Sequence, residues 1–149
     1  MLVIVGILFI VFEKLYANNK NELYNLNKKN ALIIGLAQVL AFIPGTSRSG
    51  ITIIAGLANG LKREAAVKFS FLMSMPLIAA AGLSQLNSLF SNQFSSSDIT
   101  VLTIAFVSAV ISGYYAIKYF LRYASNHSLN IFAYYRFILA GAILFYFFF

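Results

Sequence analysis

Two apolar runs, Ala31 to Ile43 and Ile51 to Leu61, are joined by the polar heptapeptide Pro44-Gly45-Thr46-Ser47-Arg48-Ser49-Gly50. Neither run can cross a bilayer. At about 1.5 Å per residue, the 13 residues before the heptapeptide reach roughly 20 Å and the 11 after it roughly 16 Å, against about 30 Å of hydrocarbon. Two short helices joined by a polar turn at a Pro-Gly step form a re-entrant hairpin whose tip lies partway through the membrane. The competing arrangement is one broken helix with its ends on opposite sides. Either way, three hydroxyls and a guanidinium sit at membrane depth, where such groups are retained chiefly because they line a cavity or hold a ligand.

The membrane reading itself rests on composition. The chain of 149 residues is 60% hydrophobic and only 10% charged, more apolar surface than one soluble core could bury. Apolar runs lie at Met1 to Phe12, Ala31 to Ile43, Ile51 to Leu61, Val67 to Leu89, Ile99 to Leu121 and Asn130 to Phe149, and only the last three approach spanning length. The fold class expected is therefore all-α: a polytopic membrane helix bundle, a single domain over 1–149, with one re-entrant hairpin over 31–61. The net charge of +7 comes from short clusters between apolar runs, which fits lipid headgroups and topology rather than nucleic acid. Zero cysteines exclude disulfides and thiol chemistry, and one histidine, His127, excludes a multi-histidine metal site. The opening run lacks a basic segment and an Ala-x-Ala cleavage site, so it reads as the tail of a longer helix rather than a signal peptide.

Charge placement separates the two arrangements of the hairpin. Lys14, Lys20, Lys28 and Lys29 precede it, Lys62, Arg63 and Lys68 follow it, and Lys118 and Arg122 flank the next polar loop, while Gln85 to Asp98 carries no basic residue. A hairpin that enters and returns on one face puts all three basic clusters on one side, which the positive-inside rule makes cytoplasmic. A crossing helix would split them. Smaller signals concern packing: Gly56 and Gly60 form a small face on the second hairpin helix, Ala79 to Gly82 allow close helix approach, Ser97 and Asp98 form an N-cap, and Tyr134, Tyr135 and Arg136 serve as interfacial anchors.

The heptapeptide has the chemistry of an anion site. Pro44 ends the first helix, Gly45 and Gly50 permit sharp turns, and Thr46, Ser47 and Ser49 are good caps for a helix beginning near Ile51. Unpaired N–H groups and the positive helix end then face the turn. Arg48 adds a planar fork suited to phosphate oxygens, and Thr52 can point a hydroxyl at the same place. From the residues alone three readings stay open: a phosphate site, ordinary helix capping beside a snorkelling arginine, or another anion.

The stretch from Gly35 to Thr52, with Ile43-Pro-Gly-Thr-Ser-Arg-Ser-Gly50 at its centre, is followed by Arg63-Glu-Ala-Ala-Val-Lys-Phe-Ser-Phe-Leu-Met-Ser-Met-Pro76. Together they closely resemble the bacterial undecaprenyl-diphosphate phosphatase family, also known for bacitracin resistance. The resemblance implies that Ser47, Arg48 and Thr52 carry the catalytic site, with Gly45, Thr46, Ser47, Arg48, Ser49 and Thr52 binding the phosphates of a polyprenyl diphosphate. The implied reaction removes the terminal phosphate and recycles the cell-wall lipid carrier, and the implied location is the bacterial plasma membrane. Family members are about twice as long, built from two inverted repeats, and their earlier repeat carries a Glu-x-x-x-Glu motif with a neighbouring serine and histidine. This chain matches the second repeat only, so the expectation is a fragment or a half that works with a missing N-terminal partner. At the equivalent point here stands Gln38, which cannot act as a base.

Hydrolysis of a diphosphate needs a nucleophile or activated water, a proton donor and positive charge on the phosphoryl oxygens. The turn supplies the last. Glu13 and Glu22 read as solvated members of a lysine-rich loop, Glu64 as a helix cap, Asp98 as remote and His127 as a surface residue, so the chain alone is expected to hydrolyse little or nothing. A diphosphate suits a divalent cation, Mg or Ca, yet no carboxylate cluster here could ligate it. The alternative function is an anion or lipid-phosphate binding or transport module acting as an antiparallel homodimer, which the strong charge bias disfavours.

Overall fold

Every element of this computed structural model, which describes residues 1–91 and 96–148, is helical, apart from one isolated bridge between Asn21 and Leu61. Helix α1 covers Leu2–Leu15, α2 Lys28–Ala37, α3 Arg48–Ala58, α4 Arg63–Ser91, α5 Ser96–Asn126 and α6 Asn130–Phe148. Segments of the last three are long and apolar enough to span a membrane: Arg63–Gln85, Asp98–Asn126 and Asn130–Phe147. These coincide with the three long apolar runs. The chain is thus an all-α, multi-pass membrane bundle, and the exposed Ile104, Phe106, Val110 and Ile138 are ordinary for a protein solvated by lipid.

The polar stretch between α4 and α5 is shorter than the expected loop over Asn87 to Asp98. Helix α4 continues to Ser91, α5 begins at Ser96, and 92–95 lie outside the described residues. Ser97 and Asp98 consequently fall inside the first turn of α5 rather than capping it, and Asp98 sits at the positive end of the helix. Pro76 lies within α4, which remains continuous through it.

Three connections meet at one end of the bundle. Lys62 N donates to Asn21 O at 2.9 Å, and Asn19 Nδ2 donates to Leu57 O at 2.7 Å and Leu61 O at 3.1 Å. Arg63 Nη1 donates to His127 O at 3.1 Å. The α1–α2, α3–α4 and α5–α6 connections are therefore adjacent, and all three basic clusters lie near them. Helix α2 leaves this end and α3 returns to it as a hairpin, whereas a crossing helix would have separated the connections.

Glu13 corrects the sequence reading. It is not a loop residue in water but lies in the last turn of α1, 3% exposed. Its carboxylate accepts the Leu129 N–H at 2.8 and 3.0 Å and pairs with Arg63 Nε at 2.9 Å. One side chain thereby joins α1, the start of α4 and the N-terminus of α6, whose positive end favours a carboxylate. Glu22 is not free in solvent either, because Lys62 Nζ donates to its carboxylate. That contact holds the Lys62 ammonium above its ordinary value of 10.5.

Helix α3 is buried from Gly50 to Leu57 apart from the partly covered Ala55, while its ends at Ser49 and Ala58 are exposed. It packs on α1, α2 and α4. A Cβ on Gly56 would come 2.9 Å from Ala66 Cβ, so the close α3–α4 approach requires a glycine there. Gly60 does not share that face: at φ +87° it closes α3 in the left-handed conformation. Gly6 is a second point of close approach, a Cβ there falling 2.7 Å from the Phe137 ring of α6. Ala79 to Gly82 are exposed, and a Cβ on Gly82 would meet nothing within 4 Å.

Candidate functional site

The second half of the first apolar run tightens before the turn. Helix α2 gives way to a 3-10 segment over Gln38–Phe42, and Ile43 is extended at φ −72°, ψ 123°, as the residue before a proline prefers. Gly45 takes φ +81°, a conformation that a side chain would strain. Ser47 is the N-cap of α3: its backbone is extended and its Oγ accepts the Gly50 N–H at 3.1 Å. The helix thus starts at Arg48, three residues before the expected start at Ile51. Arg48 and Ser49 occupy its first turn, and their amide N–H groups donate to no acceptor among the described residues.

A cavity of about 280 Å³ opens beside this helix end. Ser47, Ser49 and Gly50 line one part, Ser70 of α4 lies deeper, and Phe71, Phe120 and Phe132 give it an apolar wall. Ser47 Oγ and Ser49 Oγ are 3.3 Å apart and share a hydrogen bond. The one charged side chain lining the cavity among the described residues is Arg136 of α6. Arg136 is not the interfacial anchor its Tyr-Tyr-Arg context implied. Tyr134 and Tyr135 are exposed, but Arg136 turns inward, with Nε donating to Leu2 O at 3.2 Å and Nη2 to Gly45 O at 2.9 Å.

The residues expected to act together are divided. Arg48 lines a separate groove with Gly35, Gln38, Phe42 and Leu77, on the α2 side of the turn, and its guanidinium bonds to nothing among the described residues. Thr52 corrects a further expectation, that its hydroxyl faces the turn. It is 2% exposed, and its Oγ1 donates toward Arg48 O at 3.0 Å and Ser49 O at 3.1 Å while lying 2.7 Å from Ser70 Oγ. A threonine one turn into a helix naturally reaches back to carbonyls three and four residues earlier, which draws the hydroxyl into the α3–α4 seam. Thr52 therefore meets the cavity only through Ser70. Thr46 is half-buried in the turn and Gly45 is exposed.

Among the described residues, no acidic side chain lines the cavity. Glu13 pairs with Arg63, Glu22 with Lys62, and Glu64 with Lys68 at 2.6 Å. His127 is exposed at the basic end, stacked on Tyr123 with ring centroids 4.7 Å apart. The cavity's polar donors are serine hydroxyls and a guanidinium, and no three acidic or histidine side chains converge among the described residues. Divalent cations of the Mg or Ca type take carboxylate and carbonyl oxygens, so these residues do not fit a protein-held cation.

Depth follows from helix rise. The turn lies beside the start of α1, about 16 Å along α1 from Glu13 at the basic end. Beyond Arg136, α6 runs on for about 18 Å to Phe148. The turn is thus near the middle of the bundle.

These features define a multi-pass α-helical membrane protein with a serine- and arginine-lined cavity at a hairpin turn midway along its helices. Residues 1–142 match the family described as bacitracin resistance protein BacA, and the chain belongs to that family. It is 41% identical over 142 residues to an undecaprenyl-diphosphatase of Rubrobacter xylanophilus, covering 95% of this chain and 52% of the relative. An undecaprenyl-diphosphatase of Halothermothrix orenii is 43% identical over 144 residues, covering 97% and 55%. One from Lactobacillus delbrueckii subsp. bulgaricus is 41% identical over 143 residues, covering 93% and 52%. The chain spans about half the length of the curated relatives it matches.

Proposed function

We propose that the chain forms the phosphate-holding side of an undecaprenyl-diphosphate phosphatase, acting in a bacterial plasma membrane with a glutamate-bearing half supplied by the rest of such a protein. The supporting observation is the Ser47-capped start of α3, with its unpartnered Arg48 and Ser49 amides, beside a cavity that joins hydroxyls to an aromatic wall. That combination suits an amphiphile with an anionic head. The names printed for the relatives support the particular substrate.

In this reading the amides at the start of α3 and the Arg48 guanidinium neutralise phosphoryl oxygens. Ser47 and Ser49 orient the head, Gly45 and Thr46 shape the turn, and Thr52 fixes Ser70. General acid–base work falls outside this chain, since its carboxylates are paired with cations at the basic end or, for Asp98, sit on another helix.

The test uses the purified chain in detergent with undecaprenyl diphosphate. Binding is expected without measurable phosphate release, and Arg48→Ala is expected to weaken binding by roughly tenfold or more, the loss of one charge-assisted contact. Absence of binding would refute the reading. Phosphate release by the isolated chain, abolished in Arg48→Ala, would refute the division of labour.

A further inference from the structure

Two arginines approach the turn from opposite sides. Arg48 lies on the α2 side, while Ser47 and Ser49 open onto the cavity shared with Arg136. Arg136 spends two of its donors on backbone carbonyls, Nε on Leu2 O and Nη2 on Gly45 O. A guanidinium carries five N–H donors, so three remain, and Nη1 makes no bond among the described residues. Nor does it form an ion pair among the described residues, where Glu13, Glu22 and Glu64 pair with Arg63, Lys62 and Lys68. A charged residue mid-helix in a membrane bundle, partly buried and paired only with carbonyls, is costly unless an anion completes it.

We propose that Arg136 is a second phosphate-binding residue, gripping the substrate head on the Ser47 and Ser49 side while its other donors hold the Gly45 carbonyl and so the shape of the turn. This rests on the reading of the turn as a diphosphate site. The two bonds to Leu2 O and Gly45 O fix the guanidinium plane at the cavity edge, so little side-chain freedom is lost on binding. Charge then meets the diphosphate from two helices, Arg48 on α3 and Arg136 on α6. The hydroxyls and the α3 amides lie between them.

The experiment measures binding of farnesyl diphosphate and of farnesol to the purified chain in detergent by titration calorimetry. Arg136→Gln is expected to weaken farnesyl diphosphate roughly ten- to a hundredfold while leaving farnesol unchanged. Arg136→Lys, which keeps the charge but loses the fork, is expected to fall between. Farnesyl diphosphate binding undiminished in Arg136→Gln, with the parent binding it well, overturns this inference alone. Equal loss of both probes in Arg136→Gln and Arg136→Lys overturns it in favour of a purely structural clasp. A parent chain that binds the diphosphate no better than farnesol removes the diphosphate reading and this inference with it.

Discussion

Glu13→Ala tests whether the basic end of the bundle is locked by one carboxylate. The substitution removes the acceptor of the Leu129 N–H and the counter-charge of Arg63 together. A hydrogen bond to a charged group contributes about 1.5–3 kcal/mol, and breaking a fully buried ion pair costs about 3–5 kcal/mol. The second figure must be reduced here. Arg63 is 25% exposed and also donates to His127 O, so water and a carbonyl partly compensate it. A total near 3–4 kcal/mol is expected, equivalent to a fall in melting temperature of roughly 6–16 °C for a chain of this size. Glu13→Gln keeps an acceptor for Leu129 and should lose about half as much. The double variant Glu13→Leu with Arg63→Met removes both charges and should melt above Glu13→Ala, because no unpaired guanidinium is left behind. Thermal unfolding in detergent followed by circular dichroism gives all three values. A Glu13→Ala protein that melts with the parent, or a double variant that melts below it, would refute the lock.

Two further outcomes probe the seam beneath the site. Gly56→Leu should separate α3 from α4, since even a Cβ would lie 2.9 Å from Ala66 Cβ, and a destabilisation of about 1–3 kcal/mol is expected in the same melting assay. Thr52→Val keeps the shape but leaves the Ser70 hydroxyl without its partner at 2.7 Å; a loss of about 1–3 kcal/mol is expected. Thr52→Ser should restore most of it, and equal melting of all three proteins would count against the buried pair.

How far the sequence reveals this molecule depends on the range over which each residue acts. The spanning helices are legible because length and apolarity are local properties. The Ser47 cap and the extended Ile43 are legible for the same reason, as Ser/Thr and Pro act on their immediate neighbours. Glu13 was misread because the charges near it in sequence are lysines, while its true partners, Arg63 and Leu129, arrive through tertiary packing. Arg136 was misread because Tyr-Tyr-Arg is the usual composition of a membrane interface. The carbonyls of Leu2 and Gly45, both remote in sequence, draw it inward. Arg48 is singled out by the motif, but the face it takes is set by the helix start. Moving that start from Ile51 to Arg48 rotates the side chain toward Gln38. For Thr52, a preference for carbonyls one turn back was available from its place in the helix. Its partner Ser70 was not.

The clasp on Gly45 also sets an order of assembly. The turn and the arginine that holds its carbonyl are 91 positions apart in the chain, and the anchor of α6 at Glu13 spans 116. During synthesis the hairpin emerges long before α6, and neither of its arms is long enough to settle across a bilayer by itself. The short helices must therefore wait, shielded by other apolar surface, until α6 arrives to seat them. The turn should thus be the last element to reach its final shape, and variants that slow the arrival of α6 should leave it open to proteases while α4 and α5 are already in place.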